Sequence, residues 1–232
     1  MSKKRRFPGI VCAALGHDYQ VFSDERYVYI VRLGRAGAEE VRENGFGVWL
    51  TPAINIHRSP LCGRNFEYYS EDPLLAGKLA AAMIRGIQSM GVAASLKHFA
   101  CNNKETNRRE CDSRLSERAL REIYLKAFEI CVREASPWTI MSSYNPINGQ
   151  RASENRDLLT GILREEWGFD GAVTTDWYTH GSQYAEIAAG NDIKMACGMP
   201  EHTLQMMQEG RLSREDVKTS VRRVLRMILR LA

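Results

Sequence analysis

Four short polar clusters stand out, because each follows an apolar run and they recur roughly every 30 to 45 residues. They are residues 63–67 (GRNFE), 97–99 (KHF), 142–145 (SSYN) and 175–177 (TDW). One β-strand, one helix and two short loops occupy about that length, and parallel strands need such a crossover. Ligand sites collect at the carboxyl ends of parallel strands, so we expect the four clusters to contribute to a single site.

Asp176 is the strongest single candidate for a functional residue. Its carboxylate follows the apolar run 172–175 directly, and Trp177 comes next. A rigid strand and an apolar wall at this point would aim the carboxylate into a cleft. An aspartate at a strand end also often caps a helix or holds a loop, so its position alone leaves both interpretations open.

The other clusters supply hydrogen-bonding groups that suit a hydroxyl-rich ligand. Lys97 offers three donors and His98 one donor and one acceptor, and Arg64 adds a planar donor fork. Lys97 can also favour the ionised form of a nearby carboxylate. Trp177 provides a flat apolar face of the kind that packs against a sugar ring.

Composition favours a globular protein without a cofactor. The chain has 232 residues, of which 44% are hydrophobic and 26% charged, and a net charge of +4. Much of that charge lies in residues 3–6 and near the end of the chain. A tag at the start and a solvated face of the last helix explain it more simply than a nucleic-acid-binding surface does. No apolar run approaches the roughly 20 residues of a membrane span. We expect a cytoplasmic protein that binds neither nucleic acid nor a membrane.

The six cysteines are scattered and form no C-x-x-C pair. In a chain of this length they are typical of small buried apolar residues in a reducing compartment. No Cys or His pair has the spacing of zinc ligands, so we expect no metal site.

Strands and helices alternate from residue 45 onward. Strands are predicted at 48–50, 92–96, 138–141, 172–175 and 192–196, and more weakly at 27–31. Helices are predicted after the N-caps Asp72 and Ser116, over residues 158–167, and after the capping box of Ser213 and Asp216. A complete barrel takes about 250 residues, so the pattern predicts an α/β fold of the incomplete TIM-type (β/α) barrel class.

With these residues together, the chain resembles glycoside hydrolase family 3, and its β-glucosidase branch in particular. The resemblance rests on residues 63–73 (GRNFEYYSEDP), 97–103 (KHFACNN), 168–171 (GFDG) and 175–177 (TDW), which occur in the expected order. It runs from about Gly34 to the end. We therefore predict a divergent segment at 1–33 and a barrel-like catalytic domain at 34–232.

The resemblance implies hydrolysis of terminal β-linked glucose with retention of configuration. Asp176 matches the family nucleophile. Residues matching contacts to the sugar or neighbours of the nucleophile are Arg64, Lys97, His98, Arg108, Tyr144 and Trp177. For Arg108 and Tyr144 a purely structural role, as an exposed arginine and a packed tyrosine, is an equally open alternative.

The resemblance also points to an incomplete catalytic machinery. The family usually takes its general acid/base from a glutamate in a second domain, which has no counterpart here, and residues 1–33 lack the family's acidic sugar-binding loop. The β-N-acetylglucosaminidase branch uses a histidine near an Asp-Ser-His motif, whereas residues 112–114 read DSR. Glu67, Glu105 and Glu110 are conceivable substitutes, but nothing in the sequence favours one of them.

We therefore expect a truncated or split β-glucosidase whose acid/base domain a second chain could supply. A carbohydrate-binding pseudo-enzyme and a non-functional fragment are the alternatives. Attack on an activated aryl glucoside, which needs no acid, would separate the enzyme from the binding module.

Overall fold

The computed structural model describes residues 25–231, and its centre is a four-stranded parallel sheet. The strands are β1 (Val48–Trp49), β2 (Ala93–Phe99), β3 (Thr139–Ser142) and β6 (Ala172–Thr175), in the order β1-β2-β3-β6. Single parallel bridges, Ala53 to Lys97 and Thr174 to Ile193, add to this sheet. Within the described range the sheet does not close on itself, which agrees with the predicted incomplete barrel.

Helices connect the strands of the sheet. The α-helices are α1 (Glu25–Glu43), α2 (Pro73–Gln88), α3 (Glu117–Ala119), α4 (Lys126–Ala135), α5 (Gln183–Ala189), α6 (Pro200–Gln208) and α7 (Arg214–Leu231). Two segments are π-helical, π1 (Leu120–Tyr124) and π2 (Asp157–Glu166), and Ala152–Glu154 forms a 3₁₀ turn. The short strands β4 (Pro146–Ile147) and β5 (Gln150–Arg151) form an antiparallel hairpin.

The predicted helix starts are confirmed by their capping bonds. The Leu74 N–H donates to the Asp72 carboxylate at 2.8 Å, with Pro73 at the first helical position. The Ala119 N–H donates to the Ser116 hydroxyl at 3.2 Å. A short polar side chain in these places satisfies an amide that the helix itself leaves unpaired.

The core lies between the sheet and the surrounding helices. Leu96, Ile140 and Val173 are fully buried on three neighbouring strands. The ring of Phe99 contacts that of Phe128 on α4, with 5.2 Å between centroids. Strands covered on both faces read as continuous apolar runs, and this is why the sequence shows them clearly.

The strand predicted at 27–31 is wrong, because this stretch belongs to the helix α1. Tyr27, Ile30 and Val31 pack together against Ala82 of α2. Positions i, i+3 and i+4 share one face of a helix, so a short apolar run of this kind fits a buried helix as well as a strand. The helix also runs across the domain boundary predicted between residues 33 and 34.

The strands predicted at 48–50, 92–96, 138–141 and 172–175 are confirmed with small changes, whereas residues 192–196 do not form the predicted strand. Strand β1 is shorter and less buried than expected. Strand β2 extends through Phe99, so Lys97 and His98 lie inside the strand near its carboxyl end and not in the loop after it. The stretch 192–196 pairs with the sheet through the single bridge at Ile193.

The cysteines only partly follow the prediction of small buried residues. Cys101 and Cys131 are buried, Cys62 and Cys111 are half-buried, and Cys197 is exposed; all five are free thiols. Burial raises the pKa of the Cys101 thiol to about 12. Cys12 lies outside the described residues. Over residues 25–231, no helix has the length and apolar character needed to cross a bilayer.

Candidate active site

The seven predicted site residues come together at the carboxyl ends of the strands. Lys97 and His98 end β2, Tyr144 follows β3, and Asp176 and Trp177 follow β6. The remaining two, Arg64 and Arg108, approach from the loops after β1 and β2 and influence the Asp176 carboxylate electrostatically. The convergence predicted from the common phase of the strand and helix repeat is therefore present.

Asp176 presents one free carboxylate oxygen inside the cluster. Its Oδ1 accepts the Trp177 backbone N–H at 2.7 Å, and its own N–H donates to the Ser142 carbonyl at 3.2 Å. Its Oδ2 is buried without a hydrogen-bond partner in the described part of the chain. The nearest ring nitrogen, His98 Nε2, lies 3.8 Å from that oxygen.

Two opposing effects act on the Asp176 carboxyl. Burial is the larger and raises its pKa above the usual value. The Trp177 N–H and the Tyr144 hydroxyl oppose the rise, as do the positive charges of Arg64 and Arg108. The carboxylate is therefore desolvated, and the surrounding groups offset part of the cost of ionising it.

His98 is a buried, neutral partner of this carboxylate. Its backbone is fixed by Asn55, whose side chain accepts from the His98 N–H and donates to the His98 carbonyl, both at 2.9 Å. Burial is the main cause that lowers the pKa of the ring well below its usual value, and Arg64 and Lys97 add to it. The ring is therefore uncharged at neutral pH, and its contact with Asp176 is not an ion pair.

Arg64 and Lys97 share a carboxylate that sequence reasoning left without a role. Arg64 Nε lies 2.6 Å from Glu67 Oε1, and Lys97 Nζ lies 3.6 Å from Glu67 Oε2. Lys97 thus pairs with Glu67, whereas Arg64 and Arg108 act on the Asp176 carboxyl. The only sequence signal for this bridge is the spacing of three residues between Arg64 and Glu67.

Arg108 and Tyr144 contact each other at the cluster. The Arg108 guanidinium lies 4.7 Å from the centre of the Tyr144 ring, and Arg109 lies 5.4 Å from it. Arg108 also donates to Glu105 Oε2 at 2.9 Å. Cations over a tyrosine face attract the ring and fix its orientation, so the Tyr144 hydroxyl stays near Asp176.

The three glutamates that could substitute as acids all form ion pairs. Glu67 binds Arg64 and Lys97, and Glu105 binds Arg108. Glu110 is exposed and binds His180 and Arg151, whose hydrogen bonds lower its pKa. The lowered pKa makes Glu110 a poor proton donor.

A cavity of about 670 Å³ lies beside the cluster, between the loops at 58–63 and 101–116 and the start of the following helix. Gly63 and Glu105 line it, but none of the seven predicted site residues does. The cluster of donors around Asp176 is thus a separate feature, and its chemistry fits a polyhydroxylated ligand with one carbon open to attack by a carboxylate.

The chain is similar to a well-defined set of known proteins. The profile of the glycosyl hydrolase family 3 N-terminal domain matches residues 6–227. Beta-glucosidase A of Butyrivibrio fibrisolvens is 63% identical over 186 residues, which are 80% of this chain and 22% of that protein. An exo-alpha-(1->6)-L-arabinopyranosidase of Bifidobacterium longum is 53% identical over 72% of this chain and 22% of that protein.

Solved structures agree with the sequence comparisons. Beta-glucosidase 3B from Thermotoga neapolitana, in complex with alpha-D-glucose, superposes with a TM-score of 0.86 and 47% identity. The match covers 89% of this chain and 30% of that one. The chain therefore spans between about a fifth and a third of the length of these relatives.

Proposed function

Because the chain belongs to glycosyl hydrolase family 3, we propose that it carries the nucleophile and the sugar-binding residues of a retaining β-glucosidase. The observation that supports this most is the buried Asp176 carboxylate, whose Oδ2 has no hydrogen-bond partner among the described residues and whose ionised form is favoured by Tyr144, Arg64 and Arg108. A carboxylate in this environment is suited to attack the anomeric carbon of a bound sugar.

In the first step Asp176 Oδ2 forms a bond to the anomeric carbon while the bond from that carbon to the aglycone oxygen breaks. The electron pair of the broken bond goes to the aglycone oxygen, which takes a proton from a general acid or leaves as a stable anion. In the second step water attacks the same carbon while the bond from that carbon to Asp176 Oδ2 breaks. The proton that water loses goes to the conjugate base of the acid, or to solvent where the aglycone left as an anion. Two inversions give net retention.

The residues around Asp176 would bind the glucose hydroxyls. Arg64 and Lys97 are kept close together by Glu67, and neutral His98 offers either a donor or an acceptor. Trp177 is 39% exposed beside the nucleophile and provides an apolar face for the ring. Tyr144 and Arg108 would stabilise the carboxylate between the two steps.

We further propose that another domain or a second chain supplies the general acid. The three glutamates near the site are occupied by cations, so none of them is placed to protonate a leaving group. The domain boundary at residue 34 and a cytoplasmic location stay predictions.

Covalent labelling tests the assignment. A 2-fluoro-β-glucoside with a dinitrophenolate leaving group should transfer its sugar to Asp176, because the leaving group needs no proton and the fluorine slows the second step. Mass spectrometry of peptides locates the label. An α-L-arabinopyranoside belongs in the panel, since one relative is named for that activity.

Four outcomes separate the functions. Labelling of Asp176 supports the retaining hydrolase, and labelling of another residue refutes the choice of nucleophile. Calorimetric binding of glucose without any labelling would identify the carbohydrate-binding pseudo-enzyme. Absence of both binding and labelling in a folded chain would contradict the proposal altogether.

A further inference from the structure

The loop that follows Asp176, residues 177–182, is folded around a buried ion pair. Lys194 Nζ lies 2.9 Å from Glu186 Oε2 and 3.1 Å from Glu186 Oε1. The two side chains are only 8% and 1% exposed. Removing two charges from water is costly unless other groups also hydrogen-bond to them. The additional hydrogen-bond partners of Lys194 and Glu186 therefore show which part of the structure the ion pair stabilises.

Most of the partners of this ion pair belong to the loop. Lys194 Nζ donates to the Gly181 carbonyl at 2.8 Å and to the Thr179 hydroxyl at 3.1 Å. The Thr179 hydroxyl in turn donates to Glu186 Oε1 at 2.9 Å, as does Ser153 from another segment at 3.1 Å. Both charges therefore bind the inner side of the loop.

Gly181 brings the loop backbone unusually close to the pair. A Cβ added at this residue would lie 2.4 Å from Glu186 Oε1, so any side chain here would displace the Glu186 carboxylate. The outer side of the loop has little apolar packing, because Trp177 is 39% and Tyr178 58% exposed. The loop conformation thus depends on polar contacts on its inner side more than on burial.

The same loop orients the Asp176 carboxylate. Its first amide, the Trp177 N–H, donates to Asp176 Oδ1. The next amide, the Tyr178 N–H, donates to the carbonyl of Met195, the neighbour of Lys194, at 3.0 Å. The Met195 N–H donates to the Thr175 hydroxyl at 2.9 Å, just before Asp176. A shift of Lys194 would therefore reach the carboxylate through two short chains of bonds.

We propose that Lys194 and Glu186 are positioning residues for the nucleophile. Their ion pair fixes the loop 177–182, and the loop amide at Trp177 orients the Asp176 carboxylate for attack. This inference rests on the proposed function of Asp176. Misplacing a reacting group by about 1 Å can cost about 100-fold in rate, so even a small movement of the loop should be measurable.

The test is the double variant Lys194→Met/Glu186→Leu, which removes both charges together. Removing one partner would leave a buried unpaired charge, whereas replacing both with apolar residues is often tolerated. We expect the maximal rate of Asp176 labelling to fall by about 10- to 100-fold. The half-saturating concentration should change less than about threefold, since Arg64, Lys97 and His98 lie on other elements. Loss of the Trp177 hydrogen bond should also move the acidic limb of the rate to higher pH.

The matched control is Arg164→Met/Asp192→Leu, a second buried pair at 2.8 Å on the other side of Ile193. Asp192 accepts from the Val173 N–H near the start of β6 and makes no contact with the loop. We expect this variant to lower the melting temperature without changing the labelling parameters more than about threefold. Equal loss of labelling rate in both double variants would overturn the proposal.

Hydrogen exchange of the amides at 177–182 provides a readout that does not depend on sugar chemistry. These amides should exchange faster in the Lys194/Glu186 variant than in the wild type, and unchanged exchange would overturn the inference. If the wild-type chain is not labelled at all, the proposed function fails, and the exchange result still decides whether the ion pair fixes the loop.

If the double variant does not fold, Thr179→Val provides a milder version, because it removes only the hydroxyl shared by the two charges. Its matched control is Thr160→Val, whose hydroxyl donates to the Ala189 carbonyl away from the loop. Faster loop exchange and slower labelling in the first variant alone support the proposal. The same behaviour in both variants refutes it.

Discussion

Burial of the Asp176 carboxyl links catalysis to stability at the scale of a single residue. Burial raises its pKa in the folded protein, so ionising it costs more there than in the unfolded chain. Stability is therefore highest when the group is protonated and declines as the pH rises from the unfolded pKa to the folded pKa. The ionised form that the proposed nucleophile needs is thus the form that lowers the stability of the fold at neutral pH.

Asp176→Asn should accordingly abolish labelling and increase the free energy of unfolding at pH 7 by about 0.5–2 kcal/mol. The difference from the wild type should shrink below the unfolded pKa, where both carry a neutral side chain. Denaturant unfolding at pH 7 and at low pH measures it. Asp170→Asn, at an exposed pair with Arg230, is the control and should change stability by less than about 0.5 kcal/mol.

Tyr144→Phe should move the acidic limb of Asp176 labelling to higher pH. The Tyr144 hydroxyl is one of the groups that lower the Asp176 pKa, so its loss leaves more of the carboxyl protonated in mild acid. The labelling rate at pH 5 should fall severalfold more than the rate at pH 7. Tyr184→Phe is the control, because that hydroxyl bonds Arg211 on the surface. A parallel loss at both pH values would contradict the pKa argument.

At the scale of elements, two glycines allow α1 and α2 to pack with their backbones in close approach. A Cβ at Gly86 would lie 2.3 Å from the Val31 carbonyl oxygen, and one at Gly34 would lie 2.6 Å from the Met83 carbonyl oxygen. Each glycine therefore faces the backbone of the other helix. Since main-chain atoms cannot turn aside as a flexible side chain can, a larger residue must separate the helices.

Gly86→Ala should lower the free energy of unfolding by about 1–3 kcal/mol, as expected for an overpacked contact. Gly161→Ala in π2 is the matched control, because a Cβ there meets nothing within 4 Å. This second change should raise stability by about 0.4–1 kcal/mol by restricting the unfolded chain. Urea unfolding compares them, and equal effects would show that the helices can separate at no cost.

At the scale of the whole molecule, α7 leaves an apolar stripe exposed. Val221, Leu225 and Leu229 follow one another at a spacing of four and are 49%, 52% and 75% exposed. Side chains four apart share a face of a helix, and contiguous apolar patches promote association. Leu225→Lys/Leu229→Lys should therefore reduce the binding of an apolar fluorescent dye severalfold. Leu204→Lys, at a 58% exposed leucine of α6, should leave dye binding nearly unchanged.

The ion-paired glutamates predict how the 232-residue chain responds to different leaving groups. General acid catalysis contributes typically 10²–10⁴-fold, and the three candidate glutamates in the described part of the chain are ion-paired. Cleavage should therefore be much faster for dinitrophenyl glucosides, whose leaving group needs no proton, than for cellobiose. Steady-state rates across a series of aryl glucosides measure the slope. Comparable rates for cellobiose and the dinitrophenyl substrate would show that an acid operates within this chain.

Much of the fold follows from local signals in the sequence. The caps at Asp72 and Ser116 act on amides two or three residues away, so they depend on no distant contact. The buried strands β2, β3 and β6 are apolar on both faces and therefore visible without a partner. The prediction was wrong for residues 27–31, because their apolar pattern fits a strand as well as a helix. Packing against α2 makes this stretch helical.

The sequence by itself predicted the four strands of the sheet and the helices capped by Asp72 and Ser116, and it indicated the family and the residue types that surround Asp176. Only the tertiary structure decided their mutual effects, such as the bridge from Glu67 to Arg64 and Lys97, the neutral state of His98 and the buried pair of Glu186 and Lys194. Charge coupling and desolvation depend on distance and burial in space. Neither quantity is contained in the spacing of residues along the chain.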